Sequence, residues 1–155
     1  MKKQLPFAFA LLLLSAIGFA QSKPKPPIKQ VVPELKKILS GTGLPFKIVN
    51  DSLAVIPYEG ENISSYQVLV QRISDLYIVF VNLTETLPGK IDDTKYKYLL
   101  ERNNDFDIIK IGLDSADNTV YLRADIFKAG ASTKLLTRII KQVANVTNII
   151  GGDLK

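Results

Sequence analysis

The side chains that do most protein chemistry are sparse in this sequence. Its 155 residues contain no His and no Cys, which removes the commonest general base, thiol nucleophiles, thiolate metal sites and any Ser-His-Asp triad. Carboxylate pairs, a Ser-Lys dyad and a hard-cation site remain open. Asp114, Asp117 and Asn118 form the densest oxygen cluster, but their spacing is not that of a calcium loop and they fall where a hairpin must turn. Asp105 and Asp107 flank Phe106 at a helix-to-strand junction, and Glu59 and Glu61 sit in a loop around Gly60, so structural placement accounts for both pairs. Ser132 lies near Lys134 but is better used as a helix cap. Gly41 and Gly43 lead into Pro45 and a strand, which is not a phosphate-binding loop. Lys95, Tyr96, Lys97 and Tyr98 interleave charge with aromatics, yet a helix scatters them around its circumference, so no nucleic-acid surface is expected. Asn62, Asn82 and Asn145 begin N-x-S/T triplets; the last two fall inside a strand and a helix, and all three read as chance. The residues offer no recognisable catalytic group and no metal site. A small hydrolase or ligand-binding protein using carboxylates is the competing reading.

The elements come next. Residues 66–83, YQVLVQRISDLYIVFVNL, are the densest β-forming run, two apolar segments broken at Ser74-Asp75, and they predict a central hairpin. Before it, FKIV (46–49) and LAVIPY (53–58) predict a first hairpin turning at Asn50-Asp51-Ser52, with Pro57 at an edge or bulge. After it, DIIKIGL (107–113) and TVYLRAD (119–125) predict a third. Helices are expected at Pro33–Ser40, with Leu35, Ile38 and Leu39 inward and Gly41 stopping it, and from Asp92 or Asp93 to about Asn103, with Tyr96, Leu99 and Leu100 inward. A last helix is expected from Thr133 to Ile150, capped by Ser132 and stopped by Gly151-Gly152. The segment ETLPGK (85–90) reads as loop. The resulting class is α+β, a largely antiparallel sheet of about six strands with three helices, in the order helix, four strands, helix, two strands, helix.

Strand alternation assigns two faces. Tyr66, Val68, Val70, Val79, Val81, Ile111 and Leu122 belong to the face the helices cover. Ile109 and Leu113 share it, with Val120 and Ala124 opposite them. The other face keeps Leu69, Ile73, Ile78, Phe80 and Tyr121, too apolar for a surface left to water. It is expected to hold a polypeptide client or a second copy of the chain. The alternative is that the first helix or the 84–91 loop folds over it, since the second strand of the central hairpin is apolar on both sides.

Residues 1–20 read as a signal peptide, with basic Met1-Lys2-Lys3, an apolar run from Leu5 to Ile17, and cleavage after Ala20. The run is too short for a membrane span, so an exported protein, periplasmic or secreted, is expected, with no stable span after cleavage. Residues 21–32 read as a Pro/Lys-rich linker, 33–150 as the folded domain and 151–155 as a tail. Of the 20 basic residues Lys2 and Lys3 fall in the signal, and the rest exceed the 15 acidic ones only slightly, too mild an imbalance to imply nucleic acid.

The element order resembles the YbjN-like family, whose domain is similar to that of the type III secretion chaperones. The matching pieces are LPFKI (44–48), VIPYE (55–59), YIVFVNL (77–83), and above all LLERNN (99–104) with DIIKIGLD (107–114) and VYLRAD (120–125). The resemblance covers about 33–150. It implies a chaperone-like module that binds peptide or protein, often dimeric, without enzymatic activity or cofactor. Asn103 matches an Asn typical of the family, with an implied structural role in closing the helix before the next strand. Type III secretion chaperones are usually acidic and cytosolic, whereas this chain is mildly basic and begins with an export-type segment.

Overall fold

The computed structural model describes residues 33–155; the expected signal peptide and linker lie outside the described residues. The elements are α1 (Glu34–Ser40), β1 (Lys47–Asn50), β2 (Leu53–Tyr58), β3 (Tyr66–Ile73), β4 (Leu76–Asn82), α2 (Leu83–Thr86), α3 (Asp93–Arg102), β5 (Lys110–Asp114), β6 (Thr119–Phe127) and α4 (Thr133–Asp153). The six strands form one sheet in the order β1-β2-β3-β4-β6-β5, and every pairing is antiparallel. The α+β class and the six-stranded antiparallel sheet are as the sequence implies.

The α-helices of the described residues all lie on one face of the sheet. Leu35 and Leu39 of α1, Leu83 of α2, Leu99 of α3 and Leu136, Ile139, Ile140, Val143 and Ile150 of α4 share a single buried cluster with Val68, Val70, Val79, Val81 and Leu122 of the strands. Burying each such side chain contributes about 1.5–3 kcal/mol, and α4 supplies more of them than any other described helix. Polar anchors fix its register. Tyr66 Oη donates to the Ala144 carbonyl at 2.9 Å, and Asn148 Oδ1 accepts from the amides of Asn62 (2.9 Å) and Ile63 (3.3 Å) in the 59–65 loop. At the other end Glu34 gathers Tyr77 Oη at 2.9 Å and Lys128 Nζ at 3.0 Å. These contacts hold the Glu34 carboxyl below its usual range, the Lys128 hydrogen bond first among the causes. Burial, then the hydrogen bond to Glu34, pushes Tyr77 up to about 12.

Several expectations need correction. A fourth, one-turn helix, α2, begins at Leu83, which the alternation assigned to a strand. Asn82 caps it by accepting from the Glu85 amide at 3.2 Å, and the chain turns there instead of continuing as β. Leu100 is 64% exposed and faces solvent, because Leu99 takes the core position of α3 and Leu100 is rotated about 100° from it. Leu113 is 56% exposed on the edge strand β5, which has a neighbouring strand on one side only. Gly151-Gly152 does not stop α4, which runs to Asp153 with Leu154 buried beyond it. A Cβ on Gly151 would lie 2.4 Å from Ile63 Cγ1, so these glycines admit the 59–65 loop against the helix. Residues 151–155 are therefore a helix end and not a tail. Pro57 fits its strand because β1 pairs with β2 only as far as Val55, leaving Pro57 with β3 as its one neighbour.

Candidate functional site

The strand registers put all five expected contact residues on one face. Leu69 stands opposite Phe80, and Gln71 opposite Ile78, across β3 and β4. Ile78 and Phe80 stand in turn opposite Asp125 and Arg123 of β6, with Tyr121 opposite Asn82. Phe80 and Tyr121 are diagonal neighbours that meet edge to face, ring centroids 5.8 Å apart. Ile78 is only 8% exposed although it stands outside the helix-side core. With Gln71, Phe80, Asp114, Tyr121 and Arg123 it lines a shallow depression of about 170 Å³. Ile73 is 42% exposed at the far end of β3.

Neither α1 nor the 84–91 loop lies over this face, which corrects the expectation that one of them might. Leu35 and Leu39 of α1, and Leu87 and Ile91 of that segment, belong to the core on the opposite side. Among the described residues no helix packs on the second face, so β4 is covered on one side only. What lies beside Ile78 is polar: Arg123 and Asp125 pair at 2.6 Å on β6, satisfying each other next to the apolar row.

The face extends beyond the five residues. Leu53 and Val55 of β2 continue it past Leu69. Leu76 stands between Ile73 and Phe127, and Phe127 is 69% exposed. Sequence reasoning ended β6 at Asp125 and so missed Phe127. The signal was present in the continuing alternation of Arg123, Asp125 and Phe127 outward with Ala124 and Ile126 inward.

Asn103 is not on this face. It ends α3 and opens a short 3-10 turn, Asn103–Asp105. Its side chain lies against the outer edge of β5, where Nδ2 donates to the Ile111 carbonyl at 2.9 Å and Oδ1 accepts from the Ile111 amide at 2.6 Å. One side-chain amide thus pairs both outward main-chain groups of an edge-strand residue, as a neighbouring strand would.

The acidic groups do not converge into a reaction centre. Asp114 and Asp117 hold the β5–β6 turn by accepting from the amides of Ala116 (3.0 Å) and Thr119 (2.9 Å), and Asn118 takes the left-handed conformation at φ 57°. Asp105 is held by Arg102 at 2.6 Å. Ser132 accepts from the Leu135 amide at 3.1 Å as the cap of α4. Among the described residues no three His, Cys, Asp or Glu side chains gather in metal-binding geometry, and no helix is long and apolar enough to cross a membrane.

By sequence alone the chain matches no family model and no curated protein. Its fold is another matter. A chain of the heterodimeric ExoU–SpcU complex from the type III secretion system of Pseudomonas aeruginosa superposes with a TM-score of 0.53 at 17% identity, over 77% of this chain and 96% of that one. A chain of the HopA1–SchA chaperone–effector complex gives 0.55 at 12%, over 76% and 92%. YbjN from E. coli gives 0.55 at 12%, over 77% and 87%. The fold is that of YbjN and the type III secretion chaperones. At these identities the likeness is one of backbone architecture, and it agrees with the resemblance carried by LLERNN, DIIKIGLD and VYLRAD.

Proposed function

We propose that this protein is an exported, non-enzymatic, chaperone-like module that binds polypeptide on the open face of its sheet. One observation carries the reading: Leu69, Phe80, Ile78 and Tyr121, flanked by Val55, Ile73, Leu76 and Phe127, form an apolar surface with no helix over it among the described residues. The flat, side-chain-rich surface suits an unfolded or extended segment, because it offers apolar contact without a deep, shape-specific pocket. The shared fold supports this, since HopA1–SchA is a chaperone–effector complex. Export rests on residues 1–20 and on nothing in the folded domain. A second copy of the chain is the other occupant this face would accept.

The test is suppression of aggregation of a reduced, unfolded reporter protein by residues 21–155, compared with Phe80→Asp and Leu113→Asp. Leu113 is exposed on β5 but points to the opposite side of the sheet, so its variant should protect as the parent does. Phe80→Asp should lose protection while keeping its cooperative melt. Equal protection by both variants would remove the open face from the proposal, and sedimentation of the parent alone would tell whether self-association occupies it.

A further inference from the structure

Gly112 has no evident reason within its own chain to be a glycine. Among the described residues it is the only glycine inside a strand, where glycine weakens the ladder and marks a bulge, a tight bend or the close approach of another molecule. The β5–β6 register runs unbroken from Lys110 opposite Arg123 to Asp114 opposite Thr119, so there is no bulge. Its backbone is not left-handed; that conformation belongs to Gly43 and Gly89. Nor does a neighbour press on it as Ile63 presses on Gly151, since a Cβ on Gly112 would meet nothing within 4 Å. An approach from outside the chain is the reason that remains.

The register puts Gly112 on the open face, opposite Tyr121. An aromatic ring laid over a cross-strand glycine would fill such a gap. Tyr121 instead meets Phe80 edge to face and leaves the space above Gly112 open. This notch adjoins the depression of about 170 Å³ lined by Ile78, Phe80 and Tyr121 together with Asp114 and Arg123. The charged groups around it are already partnered within the chain. Arg123 pairs with Asp125 at 2.6 Å, Lys110 Nζ donates to the Phe106 carbonyl at 2.9 Å, and Asp114 accepts from the Ala116 amide at 3.0 Å. Two cations stand against two carboxylates, so no excess charge calls for a charged occupant, and the apolar floor favours a neutral one.

We propose that this notch seats an aromatic side chain of the bound polypeptide, so that the open face selects client segments bearing Phe, Tyr or Trp. The proposal rests on the reading of that face as a polypeptide surface and adds which side chain it recognises. Size supports a ring, because an apolar cavity of roughly 150 Å³ takes one benzene. Geometry supports it as well. A flat ring over Gly112 reaches the bare main chain that any other residue would cover, and there it meets Tyr121, extending the Phe80–Tyr121 pair to three rings. A branched aliphatic side chain would be buried as well but would lack the ring-to-ring contact.

The experiment titrates residues 21–155 with short peptides of Gly, Ser and Val that differ only at a central Phe, Leu or Lys, and follows backbone amide shifts by NMR. The Phe peptide should bind roughly two- to tenfold more tightly than the Leu peptide, the range expected of one aromatic pair, and should move the Gly112 and Tyr121 amides. Gly112→Val fills the notch with a better strand former. It should therefore melt no lower than the parent while bringing the Phe peptide down to the affinity of the Leu peptide. Tyr121→Leu should abolish the same preference. Equal binding of the Phe and Leu peptides, or a preference that survives Gly112→Val, overturns the inference and leaves the open face a general apolar surface. A Lys peptide that binds best would assign the notch to Asp114, and a parent that sediments as a dimer while Gly112→Val is monomeric would assign it to a second copy; either result overturns the inference too. If no peptide moves any amide of the open face, the reading of that face falls and the inference falls with it.

Discussion

Replacing Asn103 by Ala tests whether one side chain closes the outer edge of the sheet. The substitution removes both hydrogen bonds to Ile111, at 2.6 and 2.9 Å, and leaves that residue's amide and carbonyl without their partner. A net 0.5–1.5 kcal/mol per bond, with Ile111 itself buried, gives an expected loss of about 2 kcal/mol. For a domain of this size, with an unfolding entropy of about 2.1 cal/mol/K per residue, that lowers the melting temperature by roughly 8 °C. Asn103→Asp separates the two bonds: the acceptor for the Ile111 amide remains, but a carboxylate oxygen then faces the Ile111 carbonyl with no donor between them. It should cost at least as much as the loss of one bond. Chemical denaturation gives the free energies, and amide hydrogen exchange at Ile111 reports the local opening. If Asn103→Ala costs under about 0.5 kcal/mol and the Ile111 amide exchanges no faster, the side chain is not what pairs this edge.

Other substitutions probe the helix ends and the buried phenols. Gly151→Ala should destabilise by about 1–2 kcal/mol, because the new methyl meets buried Ile63 at 2.4 Å. Gly152→Ala meets only the Asn62 side chain, which has more room to move, so it should be close to neutral or gain some of the roughly 1 kcal/mol by which Ala exceeds Gly in a helix; denaturant midpoints measure both. Tyr77 and Tyr98 are raised to about 12, by burial first and then by hydrogen bonds to Glu34 and Asp153. The folded chain then binds more protons than the unfolded one between the ordinary value of 10.0 and about 12. Their contribution is therefore complete below about pH 10 and is lost as pH rises through 12. Burial also raises Tyr58 and Tyr66, so absorbance of the phenolate during alkaline titration should show four tyrosines ionising late, and Tyr77→Phe should remove one of them.

Much of the fold is legible in local sequence because the signals are local. Asp92 and Ser132 announce α3 and α4 through cap chemistry, and period-two alternation locates β3, β4 and β6. The features that escaped depend on partners distant in sequence. The placement of β6 between β4 and β5 is a matter of nonlocal pairing. Gly151-Gly152 reads as a stop until Ile63 is seen packed against it. The candidate face is half legible: alternation names Leu69, Ile73, Ile78, Phe80 and Tyr121, but that every helix chooses the opposite side is decided by where Leu35, Leu87 and Leu136 bury.

The central claim is most directly tested by methyl-labelled NMR of residues 21–155 titrated with an unfolded, uncharged apolar polypeptide. Binding on the open face predicts progressive shifts at Leu69, Ile73, Ile78 and Leu53, with Leu136, Ile139 and Ile140 beneath α4 unmoved. Shifts confined to the helical side, or none at saturating client, would contradict it.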